Sequence, residues 1–265
     1  MKLFNFCIGL VLGLAILVGA APTPEDGVSD IEFVPLNVTV PMNTTASAGY
    51  DPSYEYHDYS TVQVWIGVTQ QTVGWVIEKE LYETVWSQLD RYCPDNSKDR
   101  WGGNKWGSCR DPKGLGFPTQ CLINPPFGNG QCETTIHDIW GEWENDQIRR
   151  LLIGSIAGTL EALTKDQAII GPSNCFSLGN RKACNVGDKV RVNLPPTGNN
   201  QRNYMHVRIF NYHSQYSNFR CCETRENVDR AIDGLGNEMV DVFPQWWNRE
   251  FVRDTRCIID GWKSC

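Results

Sequence analysis

Three consecutive segments carry the reading of the fold: Cys184-Asn-Val-Gly-Asp-Lys-Val-Arg-Val-Asn-Leu194, Pro195-Pro-Thr-Gly-Asn-Asn-Gln-Arg202 and Asn203-Tyr-Met-His-Val-Arg-Ile-Phe-Asn-Tyr212. They predict two β-strands joined by a polar turn. Val190, Val192 and Leu194 alternate with Lys189, Arg191 and Asn193. Met205, Val207 and Ile209 alternate with Tyr204, His206, Arg208 and Phe210. Successive side chains on a strand point to opposite faces, so one face of this hairpin should meet a core. The other face gathers rings, a histidine and arginines. It is expected to be the outward, solvent-facing side of the hairpin.

Working outward, the compartment is set at the start of the chain. Met1-Lys2 is a short positive region, Cys7 to Val18 is an apolar run, and Val18-Gly19-Ala20 supplies small residues. That order predicts a signal peptide over residues 1–20. No later run approaches the roughly 18 apolar residues of a membrane span. The expected location is extracellular.

Cysteine usage agrees with that location. Of eleven cysteines, Cys7 falls in the signal region. Ten remain: Cys93, Cys109, Cys121, Cys132, Cys175, Cys184, Cys221, Cys222, Cys257 and Cys265. An even number in a secreted chain predicts a disulfide framework whose pairing cannot be read from spacing. The neighbours Cys221 and Cys222 are expected to take different partners, because a bond between adjacent residues is strained. No cysteine or histidine pair has metal-ligand spacing, so neither a metal nor another cofactor is expected.

Charge is uneven along the chain, whose formal net charge is −7. Residues 21–60 hold seven acids (Glu25, Asp26, Asp30, Glu32, Asp51, Glu55, Asp58) and no Lys or Arg. Residues 181–230 hold nine basic residues against four acids. The basic stretch is a candidate site for an anionic ligand, against the plainer reading of a solvated face. Residues 21–58 lack helical or strand period and read as an acidic N-terminal segment outside the folded body. Asn37 and Asn43 begin N-glycosylation sequons there. Tyr50, Tyr54, Tyr56 and Tyr59 surround His57 and could dock the segment onto the body.

One globular domain is expected over residues 59–265. Val62, Val64, Ile66 and Val68 alternate as a strand. Ile77, Leu81, Val85, Leu89 and Tyr92 recur at helical spacing, which predicts a helix within 72–93. Residues 94–135 are rich in Gly, Pro and Cys and read as a long loop stapled by Cys93, Cys109, Cys121 and Cys132. Trp140, Trp143, Ile148, Leu151, Leu152, Ile156, Leu160 and Leu163 predict a core helix over 136–163, with Gly154, Ser155, Ala157 and Gly158 on a small side. Residues 165–187 read as a connector. Thr224 is the expected N-cap of a last long helix through Val228, Ile232, Leu235, Met239 and Val242, and residues 245–253 suggest one short helix more. The sum is an α+β fold: a small, mainly antiparallel sheet packed against three or four helices.

Catalytic signatures are scarce. There is no Gly-x-Ser-x-Gly, no His-Glu-x-x-His, no P-loop and no dinucleotide fingerprint. A ribonuclease-like hydrolase needs only an acid–base pair and a cation beside a phosphate. His206 and Arg208 share a strand face and are candidates. His213 is a weaker partner, because seven residues on it points to the other face unless a bulge intervenes. Glu133, His137 and His57 are alternatives that nothing in the sequence selects. Trp101, Trp106, Trp246 and Trp247 could instead form a glycan-stacking platform. The reading preferred on sequence is a non-enzymatic extracellular interaction protein of toxin, effector or surface-ligand type, whose partner the sequence does not name.

Overall fold

The computed structural model describes residues 61–98, 102–103, 105–111, 113–123, 128–165, 174–178, 180–195, 203–213, 219–235, 242–243, 252–259 and 262–263. The signal region, the sequons at Asn37 and Asn43, the tyrosines 50–59 and Trp101, Trp246, Trp247 and Cys265 lie outside them.

Among the described residues there are three helices and eleven strands, an α+β fold. The strands are β1 (Thr61–Gly67), β2 (Gln70–Gly74), β3 (Gly107–Asp111), β4 (Leu115–Ile123), β5 (Gly128–Trp143), β6 (Cys175–Leu178), β7 (Arg181–Gly187), β8 (Lys189–Leu194), β9 (Asn203–Asn211), β10 (Val252–Ile259) and β11 (Trp262–Lys263). The helices are α1 (Glu78–Tyr92), α2 (Asp146–Thr164) and α3 (Cys221–Asp233). The main sheet runs β11-β10-β1-β8-β9-β5-β3, with β4 also on β5. It is thus larger than the small sheet expected. Its pairs are antiparallel except β1 with β10. A second sheet runs β2-β7-β6.

The hairpin β8–β9 forms as its alternation predicts, with Val190 opposite Val207 and Val192 opposite Met205. Val62, Val64 and Ile66 of β1 extend the same apolar face. The helices cover it. The middle helix, α2, contacts both α1 and α3. Nearly every residue of α2 is buried, including Gly154, Ser155, Ala157 and Gly158. A helix apolar or small on all sides must sit inside, and the small residues let its neighbours approach. Arg149 ties the layers: its guanidinium donates to the Cys93 carbonyl at 2.8 Å and pairs with Asp90 at 2.8 Å and with Asp146.

Several segments differ from expectation for physical reasons. Residues 136–143 are the end of strand β5, not the start of a helix. A bulge between His137 and Trp140, with Asp138 at φ 48°, shifts the alternation by one. Ile136, Ile139 and Trp143 therefore share the core face. Their uneven spacing mimics a helical repeat. The helix begins only after Asn145, whose side chain accepts from the Ile148 N–H at 2.9 Å. The expected loop 94–135 contains β3, β4 and the start of β5. Pro118 is tolerated because β4 is an edge strand. Residues 72–74 belong to β2, so α1 starts at Glu78. Gly74 makes that turn at φ +57°, where a Cβ would run into the Gln120 carbonyl oxygen. The connector 165–187 contains β6 and β7. Thr224 does not cap α3, which starts at Cys221. Its hydroxyl donates to the carbonyl of Arg220, back along the helix.

The disulfides are Cys93–Cys109, Cys121–Cys132, Cys175–Cys184 and Cys221–Cys257. Cys222 is disulfide-bonded as well. The first three close local segments. Cys221–Cys257 crosses from α3 to β10, so the adjacent cysteines do go to different partners.

Candidate functional site

The face of the main sheet opposite the helices is organised in rows, one residue per strand. Pairing places Arg256 beside Trp65, Trp65 beside Arg191, Arg191 beside His206, His206 beside Trp140 and Trp140 beside Arg110. Three arginines and three rings therefore share one row across six strands, with the two rings His206 and Trp140 side by side. Arg191 lies 5.2 Å and Arg256 5.7 Å from the Trp65 ring, and Arg110 lies 4.7 Å from the Trp140 ring. Guanidinium groups favour the electron-rich face of an indole, so the row is a cation–π series. The next row is polar: Asp254, Gln63, Asn193, Tyr204, Glu142 and Ser108. Within it Asn193 donates to Gln63 Oε1 at 2.8 Å. Asp254 accepts from Arg256 Nε at 2.7 Å, which steadies the end of the cation row.

Exposure divides this face in two. Towards β1 and β8 it is buried: Trp65, Arg191, Tyr204 and His206 are all closed to solvent, His206 to 1%. Among the described residues, neither ring nitrogen of His206 has a hydrogen-bond partner, and Trp65 Nε1 has none. Burial holds His206 well below its ordinary pKa of 6.5, and the nearby positive groups Arg191, Arg208, Lys189 and His137 push it the same way. It is a neutral imidazole at neutral pH.

Towards the far ends of β5 and β9 the face opens. Phe210 is 48% and Tyr212 79% exposed. His137 meets Phe210 edge-on, with ring centroids 6.2 Å apart. Asp138, thrown out by the bulge, lies 3.6 Å from both Arg208 and His137. Partial burial lowers the His137 pKa more than Asp138 raises it. Arg110 on Trp140 continues the open area towards β3.

Among the described residues the expected acid–base pair of His206 and His213 is not assembled. His206 and Arg208 do share a face, but the first is buried and the second half-open. His213 lies beyond β9 against Tyr212, 5.6 Å between ring centroids, and is not among the groups acting on His206. The group that does share its surroundings is His137. Glu133 is exposed on β5, beside Pro118 of the β4 edge, and His57 lies outside the described residues. For the glycan reading, the large hydrophobic side chains exposed among the described residues are Phe210, Tyr212 and Val252, none of them tryptophan. Among the described residues no three His, Cys, Asp or Glu are grouped to hold a metal ion.

The described basic residues of segment 181–230 do not form one patch. Lys182 pairs with Glu78 on α1, while Arg220 and Arg230 pair with Glu223 and Glu226 on their own helix. Lys189, Arg191 and Arg208 remain on the sheet face, joined there by Arg110 and Arg256 from distant strands. Sequence reasoning missed those two, and missed Trp65 and Trp140 as their partners. Each strand showed its alternation, but the registers that align the row are not visible in any single strand. Comparisons with protein-family models, with curated proteins and with solved structures find no match for this chain.

Proposed function

We propose that the protein is a secreted, disulfide-bonded interaction protein that contacts another extracellular protein through the open end of the sheet face. The contact residues are Arg110, Trp140, His137, Arg208, Phe210 and Tyr212. One observation carries this reading: the exposed rings of Phe210 and Tyr212 lie near Arg208 at the end of β9, while His206 on the same strand is buried. Aromatic residues and arginine dominate binding hot spots, because they bury large areas at small entropic cost. Two arginines favour a partner surface bearing carboxylates around an apolar centre. The disulfides and the lack of any helix long and apolar enough to cross a membrane among the described residues are compatible with that setting.

The hydrolase reading requires a solvent-accessible acid–base pair. His206 is closed to solvent, so that reading is not favoured. The test uses labelled, non-reduced protein on a panel of cell surfaces and immobilised matrix proteins, beside Tyr212→Ser/Phe210→Ser and Arg110→Gln/Arg208→Gln. Binding should fall at least about tenfold in the aromatic variant. The arginine variant should bind more slowly and with weaker salt dependence. Binding that both variants retain would overturn the assignment of the surface. RNA cleavage by intact protein, lost in His206→Ala, would overturn the function.

A further inference from the structure

We propose that Lys189, Arg208 and His137 form a binding site for the phosphate group of an aromatic phosphate monoester, whose ring rests on Phe210. The site lies within the open surface described above. It does not rest on a protein partner, and small molecules alone test it.

The first support is the row itself. Pairing sets Lys189 of β8 beside Arg208 of β9, and Arg208 beside His137 of β5. Three nitrogen-bearing side chains therefore stand on one face, from three adjacent strands about 4.8 Å apart. All three are partly open to solvent, unlike Arg191 and His206 in the neighbouring row. Glycines bound the row: a Cβ on Gly67 would run into Lys189 Cγ, and one on Gly114 into His137. Neither of these ends carries a side chain to cover it.

The second support is a carboxylate already held there. Asp138 Oδ2 lies 3.6 Å from Arg208 Nη1 and 3.6 Å from His137 Nδ1. Both distances are too long for a hydrogen bond. Among the described residues the side chains of Arg208 and His137 make no hydrogen bond, so their N–H groups are open to a ligand. Asp138 stands on the bulge at φ 48°, a conformation that aspartate adopts more readily than most residues. It marks where an oxyanion rests, and it fills that place loosely. The other carboxylate near Lys189 and Arg208 is Asp188, whose Oδ1 accepts from the Thr69 N–H at 3.2 Å.

The third support is the chemistry of displacement. A carboxylate from outside repeats what Asp138 offers, and gains nothing over a tethered group. A phosphate monoester carries a charge of about −1.5 to −2 and three acceptor oxygens. Those oxygens match the Arg208 fork, the His137 N–H and the Lys189 ammonium, one donor from each strand. Phe210 follows Arg208 on the same face, 48% exposed, and meets His137 edge-on with centroids 6.2 Å apart. An open ring beside the anion site favours an ester with a flat aromatic group that packs on it.

Nuclear magnetic resonance of the imidazole Cε1–H groups in the non-reduced protein, at neutral pH and fixed ionic strength, tests this. Inorganic phosphate should move the His137 signal saturably and leave His213 in place. AMP and O-phosphotyrosine should bind about two- to tenfold tighter than phosphate, and Phe210→Ser should remove that gain. Arg208→Gln should weaken all three at least about tenfold. Asp138→Asn should tighten them about two- to fivefold, because it removes the competing charge. Tighter binding of AMP names a nucleotide as the source of the phosphate. Tighter binding of O-phosphotyrosine names a phosphorylated protein, and either upholds the site. No saturable shift, a shift that Arg208→Gln retains, acetate binding as tightly as phosphate, or an Asp138→Asn variant that does not tighten would each overturn the proposal. If Arg208→Gln loses its near-ultraviolet circular dichroism, Asp138→Asn and acetate decide. Failure here leaves the cell-surface binding test of the partner reading unaffected.

Discussion

The two faces of the main sheet are both buried at their centre, for opposite reasons. On the helix face, Val62, Val64, Ile66, Val192 and Val207 are removed from water within the hydrophobic core, and each such side chain contributes about 1.5–3 kcal/mol. On the other face the buried groups are Arg191, His206, Tyr204 and Trp65. Burying these costs free energy unless each polar atom is matched. One face explains why the chain folds. The other is over-built for stability alone, and polar groups retained at a cost point to a use.

The comparison can be broken from its strongest side first. Leu152→Ala, in the fully buried α2, should cost about 2–5 kcal/mol in a denaturant unfolding curve. A cost under 1 kcal/mol would mean that the helix layer is not the core. Next in size is the staple between that layer and the sheet. Replacing Cys221 and Cys257 together with Ser should cost roughly 4 kcal/mol, because the bond closes a separation of 36 residues. The same change at Cys175 and Cys184, separated by 9, should cost roughly 3 kcal/mol. A reversed order would show that the sheet-to-helix link is not what the long bridge secures.

The polar face should respond to pH. In the unfolded chain a histidine takes up its proton from about pH 6.5 downwards. Folded His206 does so only at markedly lower pH. The unfolded state therefore binds more protons in that window, and stability is full above pH 6.5 and falls below it, by up to about 1.4 kcal/mol per pH unit. His137 adds a smaller effect of the same sign. Asp188, whose carboxyl is raised above 3.8 by burial, works oppositely at more acid pH. His206→Phe should remove much of the acid loss while changing stability at pH 7 by less than about 1 kcal/mol, since no hydrogen bond is broken. A steeper acid limb in this variant would contradict the unpartnered imidazole. The smallest effect belongs to the open edge: Arg110→Gln should cost about 0.5–1 kcal/mol through its contact with Trp140, seen as a shift in unfolding midpoint.

Much of the helix face was legible in the sequence. The alternation in 190–194 and 205–209 named the residues that do face the core, and the small side of α2 marked close packing. The outer face was legible only as a list. Alternation says which side chains share a face, not whether that face is wet, so His206 read as outward and is buried. Asp138 hid the strand end of β5, because one extra residue turned a period of two into the spacing of a helix. Arg110 and Arg256 could not be placed beside Trp140 and Trp65 from sequence, since each row depends on five separate registers.

The parallel pairing of Thr61–Gly67 with Val252–Ile259 has a consequence for how the molecule is made. The earliest described strand cannot acquire its neighbour on that side until nearly the whole described chain has been synthesised. Closing so long a loop is entropically costly and slow. Until then β1 offers an unpaired edge to any other extended chain nearby. A nascent chain of this design should depend on chaperones that shield strands, and Cys221 must wait for Cys257 while closer thiols compete for it.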